Sequence, residues 1–425
     1  MTQSGGTPRE EWRRHWPLVI ASTAGFSFPA TATYSLGLFM DPLNAEFGWS
    51  RSDVSSGLFV LSVVAVLFAP AVGALIDRFG PRRIGIPGII LAMISIASFS
   101  LANGSIPQWL GLWFVFSVAV LFAKPTVWSA AVSNAFSAGR GLALGVVLCG
   151  TAISQTLTPI IAQQLIDHHG WRFAYRAIAA GWGGLVLVLL LLFFHDAGRG
   201  AQRSKAGQGQ ARTAVALPGL TFGEALRSRQ LAQIAAAITI GSLVSVGISI
   251  HLVPILGEAG LSRGQAAQLA GLAGIAGIAG KLLTGGLLDR FRGNLVPFIS
   301  FALPAAAQSL LYQKSASVPL AAVTVVLMGY AAGAAAQSGT YLVTRYGGMR
   351  SFGKIYGIIV SLIGLSLGIG PWVTGKMFDI SGDYSMVLLI GIPGNILAGL
   401  LVIGLGPYPK FEPVPPLVEG NAALA

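Results

Sequence analysis

Two lysines stand inside stretches that are otherwise apolar, and these two side chains are the ones best suited to bind a charged molecule. Lys124 directly precedes Pro125, and Lys281 lies eight residues before Asp289. A lysine at depth in a membrane costs roughly 2.5–3.5 kcal/mol on insertion scales, so each ammonium group is expected to face a cavity or a partner. A cation in such a place can hold a carboxylate through a charge-assisted hydrogen bond.

Lys124 is the more deeply placed of the two lysines. It lies fifteen residues before Gly139, which is ~22 Å along a helix and near the middle of a span. Pro125 removes one helical hydrogen bond and permits a kink. Trp128 follows Lys124 by four residues and is expected on the same helix face. We predict that Lys124 and Trp128 bind an anionic, ring-containing substrate. The alternative is a structural lysine that pairs with backbone carbonyls.

The other candidate binding residues each have a second interpretation. Lys281 lies ~12 Å above its helix end, where it either binds substrate or extends to the membrane interface. His251 either relays a proton or hydrogen-bonds substrate, or it is a structural histidine. Arg345 either reaches a cavity or is a loop cation. Hydrogen bonds between helices would explain the remaining polar candidates equally well. These are Tyr34, Gln155, Tyr330, Gln337 and Tyr341.

The composition indicates that lipid surrounds this chain. Of its 425 residues 54% are hydrophobic and 10% are charged, against about 25% charged in soluble domains. The net charge of +12 is distributed over short loops, which argues against a nucleic-acid partner. The single cysteine, Cys149, excludes an internal disulfide and a cysteine-based metal site. We therefore expect neither a metal nor a cofactor.

The apolar segments predict twelve membrane-spanning helices, because a crossing needs about 20 apolar residues. The predicted spans are 17–40, 53–76, 84–102, 109–136, 140–166, 171–194, 229–256, 264–288, 294–313, 317–344, 352–378 and 384–406. The first span is too long for a signal-peptide core and is expected to remain uncleaved. Residues 195–228 predict a flexible linker that ends in a short helix from Thr221 to Arg229, with Thr221 and Glu224 as its capping pair.

Two copies of one unit make up the chain. Nine residues recur 212 positions later in a single register. The pairs are Ser50/Ser262, Arg51/Arg263, Gly73/Gly285, Asp77/Asp289, Gly141/Gly353, Gly145/Gly357, Pro159/Pro371, Asp167/Asp379 and Gly170/Gly382. This register predicts an all-α membrane protein of two pseudo-symmetric six-helix bundles, 1–194 and 229–425, joined by the linker 195–228. Lys124 and Lys281 break the register, since their counterparts are Ala336 and Ala69.

Positive charge predicts the orientation of the spans. With both termini inside the cell, the loops on that side hold 19 lysines and arginines, and the outer loops hold 6. The other two of the 27 cations are Lys124 and Lys281. We expect a multi-pass protein of the cytoplasmic (inner) membrane with both termini cytoplasmic.

The loop between the second and third spans, from Gly73 to Arg83, resembles the signature of the major facilitator superfamily. The residues that carry this resemblance are Gly73, Asp77, Arg78, Gly80 and Arg82, with Asp289 and Arg290 in a degenerate second copy. The resemblance implies the major facilitator fold and transport by alternating access. It also implies that Asp77 latches the halves together on the cytoplasmic side; a polar turn with orienting charges is the alternative.

A narrower resemblance joins the chain to monocarboxylate-transporter-like members of that superfamily. It rests on 352–357, on Gly370, Pro371 and 375–384, and on the segment around His251 and Pro254. This resemblance implies a monomeric carrier of small organic anions, often taken up with a proton. It also implies that Lys281 replaces a substrate-binding basic residue, usually arginine. Our hypothesis is that Lys124 supplies the positive charge of the family's first-span lysine, which 17–40 lacks.

Proton coupling has no obvious carrier in this sequence, because no Asp or Glu falls in the middle of a predicted span. We therefore expect a secondary transporter of small organic anions, with monocarboxylates first, whose proton coupling is open. The rivals are an anion exchanger or a dicarboxylate or aromatic-acid carrier of the same fold without proton coupling, and a channel. An integral-membrane enzyme would need a nucleophile–base pair or a metal cluster, and the sequence offers neither. We expect no enzymatic activity.

Overall fold

Helices account for nearly all of the structure, a computed structural model that describes residues 7–136, 139–195, 218–291, 293–409 and 411. The helices of the first half are α1 (Pro8–Phe47), α2 (Arg51–Phe79), α3 (Pro81–Ser98), α4 (Ile106–Leu121), α5 (Pro125–Ala135), α6 (Arg140–Leu148), α7 (Gly150–His169), α8 (Trp171–Ala177) and α9 (Gly183–Phe193). Those of the second half are α10 (Phe222–Arg227), α11 (Arg229–Ile250), α12 (Leu252–Glu258), α13 (Arg263–Arg290), α14 (Leu295–Tyr312), α15 (Val318–Gly347), α16 (Phe352–Ser381) and α17 (Ser385–Ile403).

The helices coincide with the predicted membrane spans. Within the described residues, eleven segments are long and apolar enough to cross a membrane. The 40-residue α1 occupies the place of the first predicted span. It is less apolar than the other spans because it buries a row of serine and threonine hydroxyl groups. Most of these hydroxyls donate hydrogen bonds to backbone carbonyls of α1 itself. The fourth span is divided between α4 and α5, and the sixth contains a π-helical turn at Ile178–Trp182.

Residues that recur in the repeat begin and end equivalent helices. Ser50 caps α2 together with Asp53, and Ser262 caps α13 together with Gln265. Each hydroxyl accepts a hydrogen bond from a backbone N–H that would otherwise lack a partner. Gly170 and Gly382 follow α7 and α16 with φ of 79° and 80°, a conformation in which a side chain would be strained. These positions of the repeat are therefore positions of helix initiation and termination.

The predicted short helix before the second half is confirmed. It is α10, and Thr221 Oγ1 accepts a hydrogen bond from Glu224 N at 3.3 Å while Thr221 N donates to Glu224 Oε2 at 2.7 Å. A two-residue pairing holds the segment before it, because Leu220 N donates to Gly347 O and Met349 N donates to Pro218 O, both at 2.9 Å. Most of the predicted linker lies outside the described residues.

The two halves meet tightly at the end where α2 begins and α16 ends, which we call the far end. An added Cβ at Gly375 of α16 would lie within 2.9 Å of the backbone of Arg51 and Ser52. One at Gly271 of α13 would lie 2.6 Å from Thr156 O of α7. Ser62 of α2 donates to Gly364 O at 2.7 Å. The far end is therefore closed by backbone-to-backbone packing that needs glycine.

The opposite end carries residues 7, 139, 218 and 409, and we call it the terminal end. Four of the recurring glycines lie on the helix portions that lead to it: Gly141 and Gly145 on α6, and Gly353 and Gly357 on α16. An added Cβ at any of them would meet nothing within 4 Å. Close packing of the two halves is therefore observed at the far end, whereas these four glycines toward the terminal end have open space around them.

One ion-pair cluster at the far end lies outside the membrane-spanning segments. Lys314 Nζ is 2.7 Å from Asp383 Oδ2 and 3.9 Å from Glu258 Oε2. The hydrogen bond from Lys314, helped by Ser385, holds the pKa of the Asp383 carboxyl below its ordinary value. Burial raises the pKa of the Glu258 carboxyl. The pKa values of the two carboxyls around this ammonium group are thus shifted in opposite directions.

We expect Lys314→Gln to reduce the loss of thermal stability on acidification. A carboxyl whose pKa is lowered by folding contributes stability above its unfolded pKa, about 3.9 for aspartate, and loses that contribution as the pH falls through its folded pKa. Without Lys314, Asp383 contributes less and the melting temperature of purified protein should depend less on pH in this range. Lys376→Gln, at an exposed lysine of α16, is the control. Parallel pH profiles for wild type and Lys314→Gln would contradict the expectation.

Candidate functional site

Lys124 lies at a break in the fourth span. α4 ends at Leu121 and α5 begins with Pro125, whose missing N–H suits a first helical position. Lys124 is the residue before α5 and has extended backbone with ψ of 162°. Its side chain is partly exposed, and no hydrogen bond or ion pair joins it to any residue that the structure describes. The predicted kink at Pro125 is confirmed, and an unpaired ammonium group is placed beside it.

Trp128 does not share a surface with Lys124, and this corrects the predicted aromatic platform. The spacing argument assumed a continuous helix, but the helix restarts at Pro125. The Trp128 ring is 0% exposed. It lies against Gly25 and Gly85, where an added Cβ would approach the ring within 2.7 and 3.1 Å. Its indole N–H donates to Ala123 O at 2.8 Å. Trp128 fills space between helices, and it does not line a path in this conformation.

Lys281 is exposed on α13 and, like Lys124, has no hydrogen bond or ion pair with the described residues. Its helix packs closely against α15 through small residues. An added Cβ at Gly333 of α15 would lie 3.0 Å from Lys281 N and would also collide with Gly277 O. This close approach fixes the backbone at Lys281. The structure therefore provides a second cation on a span whose position is set by helix-to-helix packing.

Two of the weaker candidates lie at the same helix contact as Lys281. Tyr330 Oη is 3.5 Å from Thr284 Oγ1, and Thr284 is three residues after Lys281. The Gln337 amide nitrogen is 3.6 Å from the position of a Cβ at Gly285. Tyr330, Gln337 and Lys281 are thus brought together along the contact between α13 and α15.

The remaining weak candidates are scattered. Tyr34 on α1 and Gln155 on α7 are half-buried. Tyr341 lies near the terminal end, where its hydroxyl accepts a hydrogen bond from Arg345 Nε at 3.0 Å. The Arg345 guanidinium also lies 5.5 Å from the centre of the Tyr408 ring. Arg345 and Tyr341 therefore form a local cluster with Tyr408, apart from Lys281.

His251 is fully buried and joins the two halves at the far end. Its Nε2 is 3.0 Å from Pro371 O and 3.3 Å from Ser55 Oγ of the first half. Its Nδ1 is 2.7 Å from Tyr384 Oη. Because a carbonyl can only accept, Nε2 carries a proton, and in the neutral ring Tyr384 donates to Nδ1. Both ring nitrogens are engaged, so His251 is a contact between the halves here.

A charged network above His251 was not predicted from the sequence. The Asp379 carboxylate of α16 accepts hydrogen bonds from Arg51 N at 3.0 Å and Ser52 N at 3.1 Å, and so caps α2 of the other half. A carboxylate at a helix N-terminus is also favoured by the helix dipole. Asp41 pairs with Arg51 at 2.6 Å and with Arg263 at 3.3 Å. The recurrence of Arg51, Arg263 and Asp379 in the repeat was the available signal.

The signature loop joins α2 to α3 through Gly80, whose φ is 87°. Arg82 Nη2 donates to Leu191 O at 3.5 Å, and the Arg78 guanidinium lies 5.2 Å from the Phe79 ring centre. Asp289 and Arg290 are exposed at the end of α13. The side chain of Asp77 and the surroundings of Gly73 lie outside the described residues. The latch at Asp77 stays a prediction.

Comparison with known proteins places these features in context. A family model described as Major Facilitator Superfamily matches residues 21–313 and 260–424. The chain is 24% identical to monocarboxylate transporter 13 of Bos taurus over 384 residues, which cover 88% of this chain and 85% of that protein. It is 25% identical to monocarboxylate transporter 11 of Homo sapiens over 441 residues, covering 97% and 88%.

Solved structures share the fold. A D-xylose-proton symporter superposes with a TM-score of 0.73 at 16% identity, over 92% of this chain and 98% of that one. A bacterial homolog to the human lysosomal transporter Spinster, in an inward-facing and unoccupied conformation, gives 0.70 at 16% identity over 95% and 100%. At such identity the likeness concerns the fold.

Proposed function

The chain belongs to the Major Facilitator Superfamily of membrane transporters, and from that premise we propose that it carries small organic anions, with monocarboxylates as the first class. The observation that carries this proposal is the pair of unpaired lysines. Lys124 and Lys281 lie on spans, and neither has a carboxylate partner among the described residues. An electropositive path attracts anions and repels cations. The relatives whose names specify monocarboxylate transport support the same class.

The proposed mechanism is alternating access, in which the two halves rock against each other so that the far end and the terminal end close in turn. Asp379, His251 and Gly375 close the far end in this conformation. Gly145 of α6 and Gly357 of α16 would approach their neighbours when the terminal end closes. We assign the terminal end to the cytoplasmic side of the inner membrane, because loops at that end hold most of the positive charge. The carrier would then be closed toward the outside in this conformation and would act as a monomer.

Exchange of one anion for another without a proton is the second candidate. No acid lies in the middle of a span, and both nitrogens of His251 are engaged in hydrogen bonds. Lys124 and Lys281 could instead hold the two groups of a dicarboxylate. In exchange the carrier changes conformation only with an anion bound, so it needs no proton site.

Uptake into proteoliposomes tests the proposal. Purified protein is reconstituted, and uptake of radiolabelled lactate is measured with and without unlabelled lactate inside, and with and without an inward proton gradient. Labelled xylose and a nucleoside serve as controls. Saturable lactate uptake supports an anion carrier. Stimulation by the proton gradient indicates symport, and stimulation by internal lactate alone indicates exchange. Uptake of the sugar or nucleoside without any uptake or inhibition by organic acids would overturn the proposal.

A further inference from the structure

The second half contains a cavity of about 220 Å³. It lies between α11, α15, α16 and α17, and α14 contributes its floor. The polar residues that line it are Ser242, Ser245, Thr340, Tyr356 and Asn395. None of its lining residues is charged. An apolar protein cavity of about 150 Å³ holds benzene, so this cavity has room for a ring with substituents.

One residue that lines the cavity has a bulkier counterpart in the repeat register. Thr340 occupies the position of Trp128, 212 residues earlier. In the first half the Trp128 ring fills the space between helices, lies against Gly25 and Gly85 and is fully buried. In the second half the residue at that register position is a threonine, and it lines the cavity.

One polar atom on the cavity wall lacks a partner. Asn395 is 0% exposed, and its Nδ2 donates to Gly391 O at 3.0 Å. That hydrogen bond orients the amide and leaves Oδ1 as the buried acceptor without a partner among the described residues. Buried polar atoms nearly always have a partner, so an orphaned acceptor beside a cavity indicates a place for a hydrogen-bond donor.

Other hydroxyl groups are placed to complete the site. Thr340 Oγ1 donates to Ala336 O at 3.1 Å, so the Tyr356 hydroxyl at 3.1 Å from Thr340 Oγ1 donates to that oxygen. The lone pairs of Tyr356 then remain available as acceptors. Ala336 lines the cavity, is exposed and stands in the register position of Lys124. The cavity wall thus includes the register counterpart of Lys124.

We propose that this cavity binds the uncharged, ring-sized body of the transported anion, with a hydroxyl of that body donating to Asn395 Oδ1. The proposal rests on the proposed function, because the lysines would hold the carboxylate while the cavity holds the remainder. The substrate class is then hydroxylated aromatic or cyclic carboxylic acids, which the cavity distinguishes from short-chain acids by volume and by one hydrogen bond.

Competition during lactate uptake tests this assignment with three probes: benzoate, 4-hydroxybenzoate and unlabelled lactate. In wild type, 4-hydroxybenzoate should compete best. Thr340→Trp, which places in the second half the side chain found in the first, should weaken both ring acids about tenfold and leave lactate unchanged. Asn395→Leu should abolish the advantage of 4-hydroxybenzoate over benzoate. Gln308→Leu replaces another buried amide of the same half that does not line this cavity, and it is the matched control. It should leave the competition by benzoate and by 4-hydroxybenzoate unchanged.

A second filling variant guards against misfolding of Thr340→Trp. Ala335→Leu also narrows the cavity, and size-exclusion profiles with lactate uptake identify which variants are folded. The proposal would be overturned by a folded filling variant that still transports lactate and in which both ring acids compete as well as in wild type. Failure of wild type to transport or bind any of the three acids would instead overturn the proposed function.

Discussion

We expect Lys124→Gln to weaken the binding of organic anions by about 10- to 100-fold. A hydrogen bond to a charged group contributes roughly 1.5–3 kcal/mol, and each 1.4 kcal/mol is a factor of ten in the dissociation constant. Lys124 has no competing ion pair among the described residues, so its removal acts on the anion directly. Binding is measured by the shift in melting temperature of purified protein across an organic-acid series.

The same experiment separates a binding charge from a general effect of charge. Lys281→Gln should weaken binding to a similar extent, and the double variant should lose it. Lys124→Arg keeps the charge and should retain part of the affinity. Lys354→Gln makes the identical change at an exposed lysine, beside the Phe222 ring, and should leave binding intact. Equal affinity in wild type and the double variant would contradict a role for the lysines in anion binding.

Leucine at two glycines of α16 should trap the carrier in opposite conformations. At Gly375 any side chain would collide with the backbone of Arg51 and Ser52 within 2.9 Å, and backbone cannot move aside cheaply. Gly375→Leu should therefore prevent closure of the far end. Gly357 has open space around it here, so Gly357→Leu fits this conformation and should prevent closure of the terminal end. Both variants should lose transport, because a cycle needs both conformations.

Thiol labelling distinguishes the two trapped states. In a Cys149→Ser background, Ser55→Cys places a nearly isosteric thiol at the far end, where Ser55 is buried against His251. Its labelling by a water-soluble maleimide should rise in Gly375→Leu and fall in Gly357→Leu relative to the parent. Gly111→Leu, at an α4 glycine with open space around it, is the control. Its labelling should equal that of the parent. Labelling that moves in the same direction in both α16 variants would refute the opposite roles of the two glycines.

The helices of this fold begin and break at short local sequence patterns, and for that reason the sequence predicts them. Ser50 and Ser262 stand before apolar runs, and Thr221 with Glu224 forms the predicted capping pair. Pro125 predicts the interruption of the fourth span. The phase of the helix after that interruption is different, because Pro125 begins a new helix. The four-residue spacing of Lys124 and Trp128 therefore says nothing about a shared face.

The contacts at the far end depend on tertiary packing that spacing along the chain does not encode. His251 meets Ser55 across 196 residues, and Asp379 caps Arg51 across 328. The cavity of the second half also depends on tertiary packing, because its lining residues come from five different helices.

The unpaired lysines give this carrier an electrical property as well as a chemical one. Moving one elementary charge through a potential of 100 mV involves about 2.3 kcal/mol of work. An empty site with two uncompensated positive charges is therefore drawn toward the negative side of an energised membrane. A bound monocarboxylate cancels one of those charges, and a dicarboxylate cancels both. Voltage would then bias the return of the empty carrier more than the passage of the loaded one, so the membrane potential itself would set how quickly the site is presented again.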